Sequence, residues 1–287
     1  MIHVPSIGYI FYINHMKLEP YLSTKIWGWE KWNLSCHPDG KSKIENGPYK
    51  GMYFADIVDN PESFPILIKI INSKSRLSIQ VHPDDEYARI FEKDNGKSEC
   101  WYILDAGENG TLVVGLKEKL SRHEIHGLID AGVLESYLNT IDIASGDFIY
   151  IPTGTIHTIN AGIRLIEVQQ SSNVTYRLYD WGRPRELHIE KSLDVIDYEA
   201  SAVCGKVDSF QRLKTPHFTV EKLCTKRSYE GHTEDKFHSY TVAEGSGHLV
   251  DEYGNVVELS AEDTIFIPEY MSYTIFGDMT LIKAYGY

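Results

Sequence analysis

The sequence predicts a mainly β protein made of two tandem β-barrels with a small helical insertion. Three observations carry that expectation. Short alternating apolar and polar runs, bounded by Gly, Pro, Asn and Asp, recur along the chain. The run Asp147-Phe148-Ile149-Tyr150-Ile151-Pro152 returns as Asp263-Thr264-Ile265-Phe266-Ile267-Pro268, a weak internal duplication of the kind that repeated units leave. Residues 117–138 form the one long stretch with apolar side chains mostly at three- and four-residue spacings, which is a helical period.

Taken in order, residues 17–56 are rich in Trp, Tyr, Gly and Pro, and Asn46-Gly47-Pro48 is turn chemistry ahead of a short helical signal at 53–58. Residues 65–71 are apolar apart from Lys69 and read as a buried strand. Residues 77–82 alternate strictly, with Leu77, Ile79 and Val81 on one face and Ser78, Gln80 and His82 on the other. Pro83-Asp84-Asp85 ends that strand, and the two aspartates read as caps of a short helix over 84–92. A strand over 97–104 carries Glu99 near its start, and the next strand pair turns at Gly107-Glu108-Asn109-Gly110. The helical period of 117–138 is broken at Gly132, which predicts two short helices; His123 and His126 on it read as a solvated face. Residues 146–157 read as turn, strand, tight Pro/Gly turn and a strand carrying His157. A helix is expected over 186–193, and a connection over 199–211. The second repeat has Tyr270-Met271-Ser272-Tyr273 where the first has Gly154-Thr155-Ile156-His157, so it is expected to be metal-free. The expected domains are 1–200, carrying the metal, and 205–287.

A chain of 287 residues with 42% hydrophobic and 24% charged residues is an ordinary soluble composition with length for a substantial core. The net charge of −13 argues against a nucleic-acid partner, which calls for a basic footprint. A small anion stays compatible, since it needs only a local cluster of Arg and Lys. Cys36, Cys100, Cys204 and Cys224 form no C-x-x-C pair and read as free thiols in a reducing compartment. The apolar run 7–13 is too short to cross a bilayer and no Lys or Arg precedes it. Met16 is expected to be the natural start, with an extension before it. A cytoplasmic monomer or weak homodimer without membrane partners is expected.

Three polar side chains on one strand face suit a face that lines a pocket. Gln, His and Glu converging from neighbouring strands would suit a divalent metal with nitrogen and oxygen ligands, and the turn after Ile151 can return His157 to the same place. The joint pattern Q-x-H-P-D-D, K-x-E and P-x-G-x-x-H is far more specific than any one member. Together with the run Glu167-Val168-Gln169-Gln170-Ser171-Ser172-Asn173-Val174-Thr175-Tyr176-Arg177-Leu178-Tyr179-Asp180-Trp181-Gly182-Arg183, these motifs resemble the type I mannose-6-phosphate isomerases, in their short bacterial form. The likeness runs from about residue 18 to 198, with a weaker echo to the end. Members of that family are zinc-dependent cupins. The resemblance therefore implies tandem cupin (double-stranded β-helix, jelly-roll) barrels and one Zn2+ per chain, held by Gln80, His82, Glu99 and His157. It further implies Arg177 as the catalytic cation and Ser78, Lys97 and Arg183 as substrate contacts.

The residues themselves give Arg177 two readings. Alternation in Thr175-Tyr176-Arg177-Leu178-Tyr179 places Thr175, Arg177 and Tyr179 on one face, where an arginine is costly unless functional or paired, here with Glu167 or Asp180. Aldose–ketose interconversion needs a proton moved between C1 and C2 through an enediol, and a redox-silent Lewis acid suits that task. The chain departs from the family pattern in places. Trp27-Gly28-Trp29-Glu30-Lys31-Trp32 joins two family segments without the usual loop, Asn173 stands where relatives often carry Asp, and Gly96 where longer relatives have His. An amide is no general base, so the base stays open among Lys97, a metal-bound water and a ligand carboxylate. The alternatives are a non-catalytic sugar-binding or regulatory cupin and a metal-dependent cupin oxygenase; Gln80 argues against the latter, whose sites usually present H-x-H at the first pair.

Overall fold

A computed structural model describes residues 15–199 and 204–287. The expected extension before Met16 lies, apart from His15, outside the described residues. Strand makes up 46% and helix 12%, so the mainly β class holds. Two compact units emerge: one holds the residues up to Ser23 with Lys31–Ile70 and Phe210–Tyr287, the other Thr24–Glu30 with Ile71–Ser209. This division differs from the single cut expected near residue 200. The Met16–Glu19 strand pairs antiparallel with Thr264–Ile267, Leu18 opposite Thr264, and Lys43–Ile44 extends that sheet. Pairing between the two ends of a chain leaves no local trace in sequence.

The Ile71–Ser209 unit has two sheets. One orders Gly205–Lys206, Phe148–Ile151, Glu99–Asp105 and Arg164–Gln170; the other orders Tyr176–Tyr179, Ile79–Val81, His157–Ile159, Thr111–Leu116 and Leu138–Asp142. Alternation decides where each side chain goes. Leu112 and Val114 join Trp101, Ile149, Ile159 and Leu165 in one core cluster, while Val113 between them joins Ile79, Val81, Ile125, Leu138 and Leu178 in another. The strand expected over 77–82 is shorter, Ile79–Val81, because Leu77 belongs to the first cluster and its carbonyl accepts from Thr158 Oγ1 and Trp181 Nε1.

The helical insertion forms as its period requires. Ser121 and Glu124 make a capping box at the start of Arg122–Asp130, Gly132 at φ 69° breaks the run, and a 3-10 turn follows at Leu134–Tyr137. His126 Nδ1 lies 3.2 Å from Asp130 one turn on, with both side chains exposed at the surface. Among the described residues no helix is long and apolar enough to cross a membrane.

In the unit with Phe210–Tyr287, strands Arg212–Lys214, Phe218–Thr225, Ser272–Gly286, His238–Asp251 and Thr264–Ile267 lie in that order. Tyr273, at the repeat position of His157, hydrogen-bonds His238 Nδ1 at 2.8 Å and Tyr240 Oη at 2.7 Å. Gly231 makes room for its ring: a Cβ there would lie 2.3 Å from Tyr273 Cζ.

Candidate metal centre

Strand register assembles the site. His157 pairs with Gln80 and Gln80 with Arg177, so three adjacent strands present a cross-strand row on one face. His82 follows Ile79–Val81, where Pro83 stops the ladder, and its carbonyl accepts from Gly154 N at 2.9 Å. That bond ties the Pro152–Gly154 turn, and hence His157, to His82. Only glycine suits position 154: φ is 82°, and a Cβ would meet Val195 O at 2.9 Å. Glu99 opens the Glu99–Asp105 strand of the other sheet.

Side chains of His82, Glu99 and His157 are 1%, 0% and 0% exposed, and their ligand atoms all lie within 4.8 Å of one another. His157 Nε2 is 3.3 Å from Glu99 Oε1 and His82 Nε2 is 3.6 Å from Glu99 Oε2. Donors bonded at about 2.1 Å to a tetrahedral zinc are about 3.4 Å from one another, so the spacing fits. Both imidazoles are oriented from behind. His82 Nδ1 faces Val174 O at 2.8 Å and His157 Nδ1 faces Thr155 O at 2.9 Å. A carbonyl only accepts, so each Nδ1 carries the proton and each Nε2 offers its lone pair inward. Burial pushes the His157 imidazole down to about 4, which keeps it neutral at physiological pH, as ligation requires. Gln80 Nε2 lies 3.2 Å from His157 Nε2, and a half-turn of that amide presents the oxygen that would ligate. The donor set of two neutral imidazoles, one carboxylate and one amide oxygen fits a divalent cation.

Lys97 lies inside this cluster. Its Nζ donates to Glu99 Oε2 at 2.5 Å, sits 3.2 Å from His82 Nε2 and 3.8 Å from Glu167 Oε1. Burial works to lower its pKa, but Glu167 and Glu99 outweigh burial and the net direction is upward. Glu167, one of two partners considered for a paired Arg177, lies by Lys97 and by Trp101 Nε1, which donates at 3.0 Å. Alternation is the signal that finds it: Lys97, Glu99 and Trp101 share a face, and Glu167 and Gln169 are registered opposite Trp101 and Glu99.

The loop before Lys97 is clamped. Asp84 caps the Asp85–Phe91 helix as expected, but Asp85 does more than cap. Its Oδ1 accepts from Gly96 N at 2.9 Å and Gln170 Nε2 at 3.0 Å, while Gln170 Oε1 accepts from Ser98 N at 2.9 Å. Lys97 is thus held on both sides. A Cβ at Gly96 would lie 2.5 Å from backbone atoms of Asp84 and Asp85, so no histidine fits there without moving the loop. Gly96→Ala is expected to cost about 1–3 kcal/mol in urea unfolding and to depress activity through Lys97; unchanged values for both would refute the clamp.

Arg177 is half-buried and its Nε makes no hydrogen bond. Burial, then Arg185, holds its guanidinium below the usual range. Asp180 is taken by Arg185, which forks onto it at 2.6 Å through both Nε and Nη2. The register slips between Arg177 and Tyr179, so the expected shared face ends there and Tyr179 is exposed. Ser78 is buried just ahead of the Ile79–Val81 strand. Arg183 is placed in the framework: Nη2 donates to the Arg76 carbonyl and Nε lies 3.6 Å from Asp180.

The family model for the catalytic domain of type I phosphomannose isomerase matches residues 18–116. A mannose-6-phosphate isomerase of Streptococcus mutans is 36% identical over 284 residues, covering 90% of this chain and 88% of that protein. The chain belongs to the type I phosphomannose isomerase family. The crystal structure of mannose 6-phosphate isomerase from Bacillus subtilis shares 32% identity and superposes with a TM-score of 0.82, over 95% of this chain and 99% of that one. A putative mannosephosphate isomerase from Archaeoglobus fulgidus shares the fold at 19% identity, with a TM-score of 0.80. The phosphomannose isomerase model covers Gln80, His82, Lys97 and Glu99, while His157 and Arg177 lie beyond it and join the site through strand register.

Proposed function

We propose that this chain is a zinc-dependent isomerase interconverting mannose 6-phosphate and fructose 6-phosphate through an enediol. The observation that carries the reading is the convergence of His82, Glu99 and His157, with Gln80 beside them, in a member of this family. When bound there, zinc supplies Lewis acidity that lowers the cost of negative charge on adjacent sugar oxygens. Gln80, His82, Glu99 and His157 would hold it. Gln80 is neutral, so Glu99 is the one anionic ligand, and Lys97 and Glu167 cancel each other's charge.

Arg177, registered beside Gln80, presents a fixed positive charge toward the enediolate, and a guanidinium stays protonated at neutral pH despite burial. Among the described residues, Lys97 is a titratable side chain outside the ligand set that touches two ligand residues, which supports it as the acid that gives a proton to the enediolate. Glu167 keeps its ammonium charged, so Lys97 donates a proton rather than abstracting one, and the Asp85–Gln170 clamp fixes its backbone. Ser78 supports a substrate hydroxyl contact. Arg183 is engaged with Arg76 and Asp180, so its part in substrate binding is to shape the wall.

The test is formation of fructose 6-phosphate from mannose 6-phosphate before and after chelation. Activity should vanish with the chelator and return with zinc. Metal-loaded protein without turnover would overturn the reading, as would restoration by iron accompanied by oxygen uptake.

A further inference from the structure

We propose that the unit with Phe210–Tyr287 carries a second site, for a sugar monophosphate, where Lys214 and Lys236 converge on Tyr287 beside an aromatic-floored cavity. This does not rest on the isomerase reading. Antiparallel register builds two parallel rows on one sheet face. Arg212 faces Glu221, which faces Lys283, which faces Tyr240; in the next row Lys214 faces Thr219, which faces Tyr285. The rows run from solvent inward, since the Arg212 side chain is 57% exposed, that of Lys283 12%, and Tyr240 is fully buried.

The Arg212–Lys214 rows carry Arg212, Lys214 and Lys283 with Glu221 as the carboxylate among them. Arg212 and Lys283 share one carboxylate, Glu221, at 3.2 and 3.4 Å. Lys236 lies 4.1 Å from the Tyr287 ring centroid and Lys214 5.8 Å from it, and among the described residues neither is paired with a carboxylate. Two like charges held over one ring repel, and a bound anion relieves that repulsion. Glu221 engages Arg212 and Lys283, which leaves Lys214 and Lys236 at Tyr287 as the cations available to a dianionic phosphate.

Beside Lys236 and Tyr287 opens a cavity of about 330 Å³ with Phe64, Phe237 and Phe266 among its lining residues. Phe237 stacks on both Phe64 and Phe266 at 5.2 Å, which makes a rigid apolar floor. Asp59, Asp235 and Glu269 also line it. Carboxylates accept from sugar hydroxyls and would repel a phosphate, whereas the lysines do the reverse, so the site is polarised for a ligand with a hydroxylated body and one anionic end.

The experiment uses the full chain with metal removed and its tyrosine rings isotopically labelled, Tyr285 and Tyr287 being assigned by Tyr→Phe substitution. Mannose 6-phosphate should move both resonances, and Lys214→Ala combined with Lys236→Ala should weaken that titration about tenfold while Arg177→Ala leaves it unchanged. Static Tyr285 and Tyr287 resonances, or an unchanged titration in the double variant, overturn the site. Inorganic phosphate binding as tightly as the sugar phosphate overturns the sugar assignment.

Discussion

Replacing His157 with alanine is expected to leave purified protein without stoichiometric zinc and to lower turnover about a thousandfold or more. The magnitude follows from the several kcal/mol of transition-state stabilisation that a Lewis acid supplies. His157 is fully buried, its ring lies against those of Trp101 and His82, and its Nδ1 is anchored on Thr155 O. Truncation therefore also leaves a void, and His157→Leu separates the two effects by filling space without offering a ligand atom. Metal content after gel filtration and the rate of fructose 6-phosphate formation should fall together in both variants. One zinc per chain with near-normal turnover in either would sink the ligand assignment.

Lys97→Met is expected to destabilise the metal-free protein by about 3–5 kcal/mol, the usual cost of stranding a buried charge. Glu99 and Glu167 would face each other without the ammonium that lies 2.5 and 3.8 Å from them. Those carboxylates would then take up protons more readily in the folded variant than in the unfolded chain. Folding of the variant would be coupled to proton uptake, so its stability should rise as pH falls from 7 toward 5, narrowing the deficit. Zinc should narrow it too, by compensating Glu99. Denaturant unfolding at two pH values, with and without zinc, reads both effects, and a deficit that ignores pH and metal would refute this account. Turnover should fall about 10²–10⁴-fold if Lys97 handles the proton.

The candidate ligands Gln80, His82, Glu99 and His157 stood out because metal chemistry restricts residue types and strand alternation restricts spacing. Ser78, Gln80 and His82 stood out as polar residues alternating with Leu77, Ile79 and Val81, and the helical insertion announced itself by its period and its Gly132 break. The place of Glu167 beside Lys97 was not legible, because the sequence shows which face a residue takes but not what lies across the sheet from it. Nor does a motif show that Arg183 Nη2 donates to the Arg76 carbonyl or that its Nε lies 3.6 Å from Asp180.

The sequence by itself determined the β class, the repeat, the insertion and the set of side chains fit to hold a metal, since each follows from local period, turn chemistry or residue type. Tertiary structure alone decided the pairing of Met16–Glu19 with Thr264–Ile267, the enclosure of Lys97 between Glu99 and Glu167, and the Asp85–Gln170 clamp around it. Each joins residues far apart in the chain, and their energies depend on burial and on distances of a few ångströms, which a one-dimensional pattern does not contain.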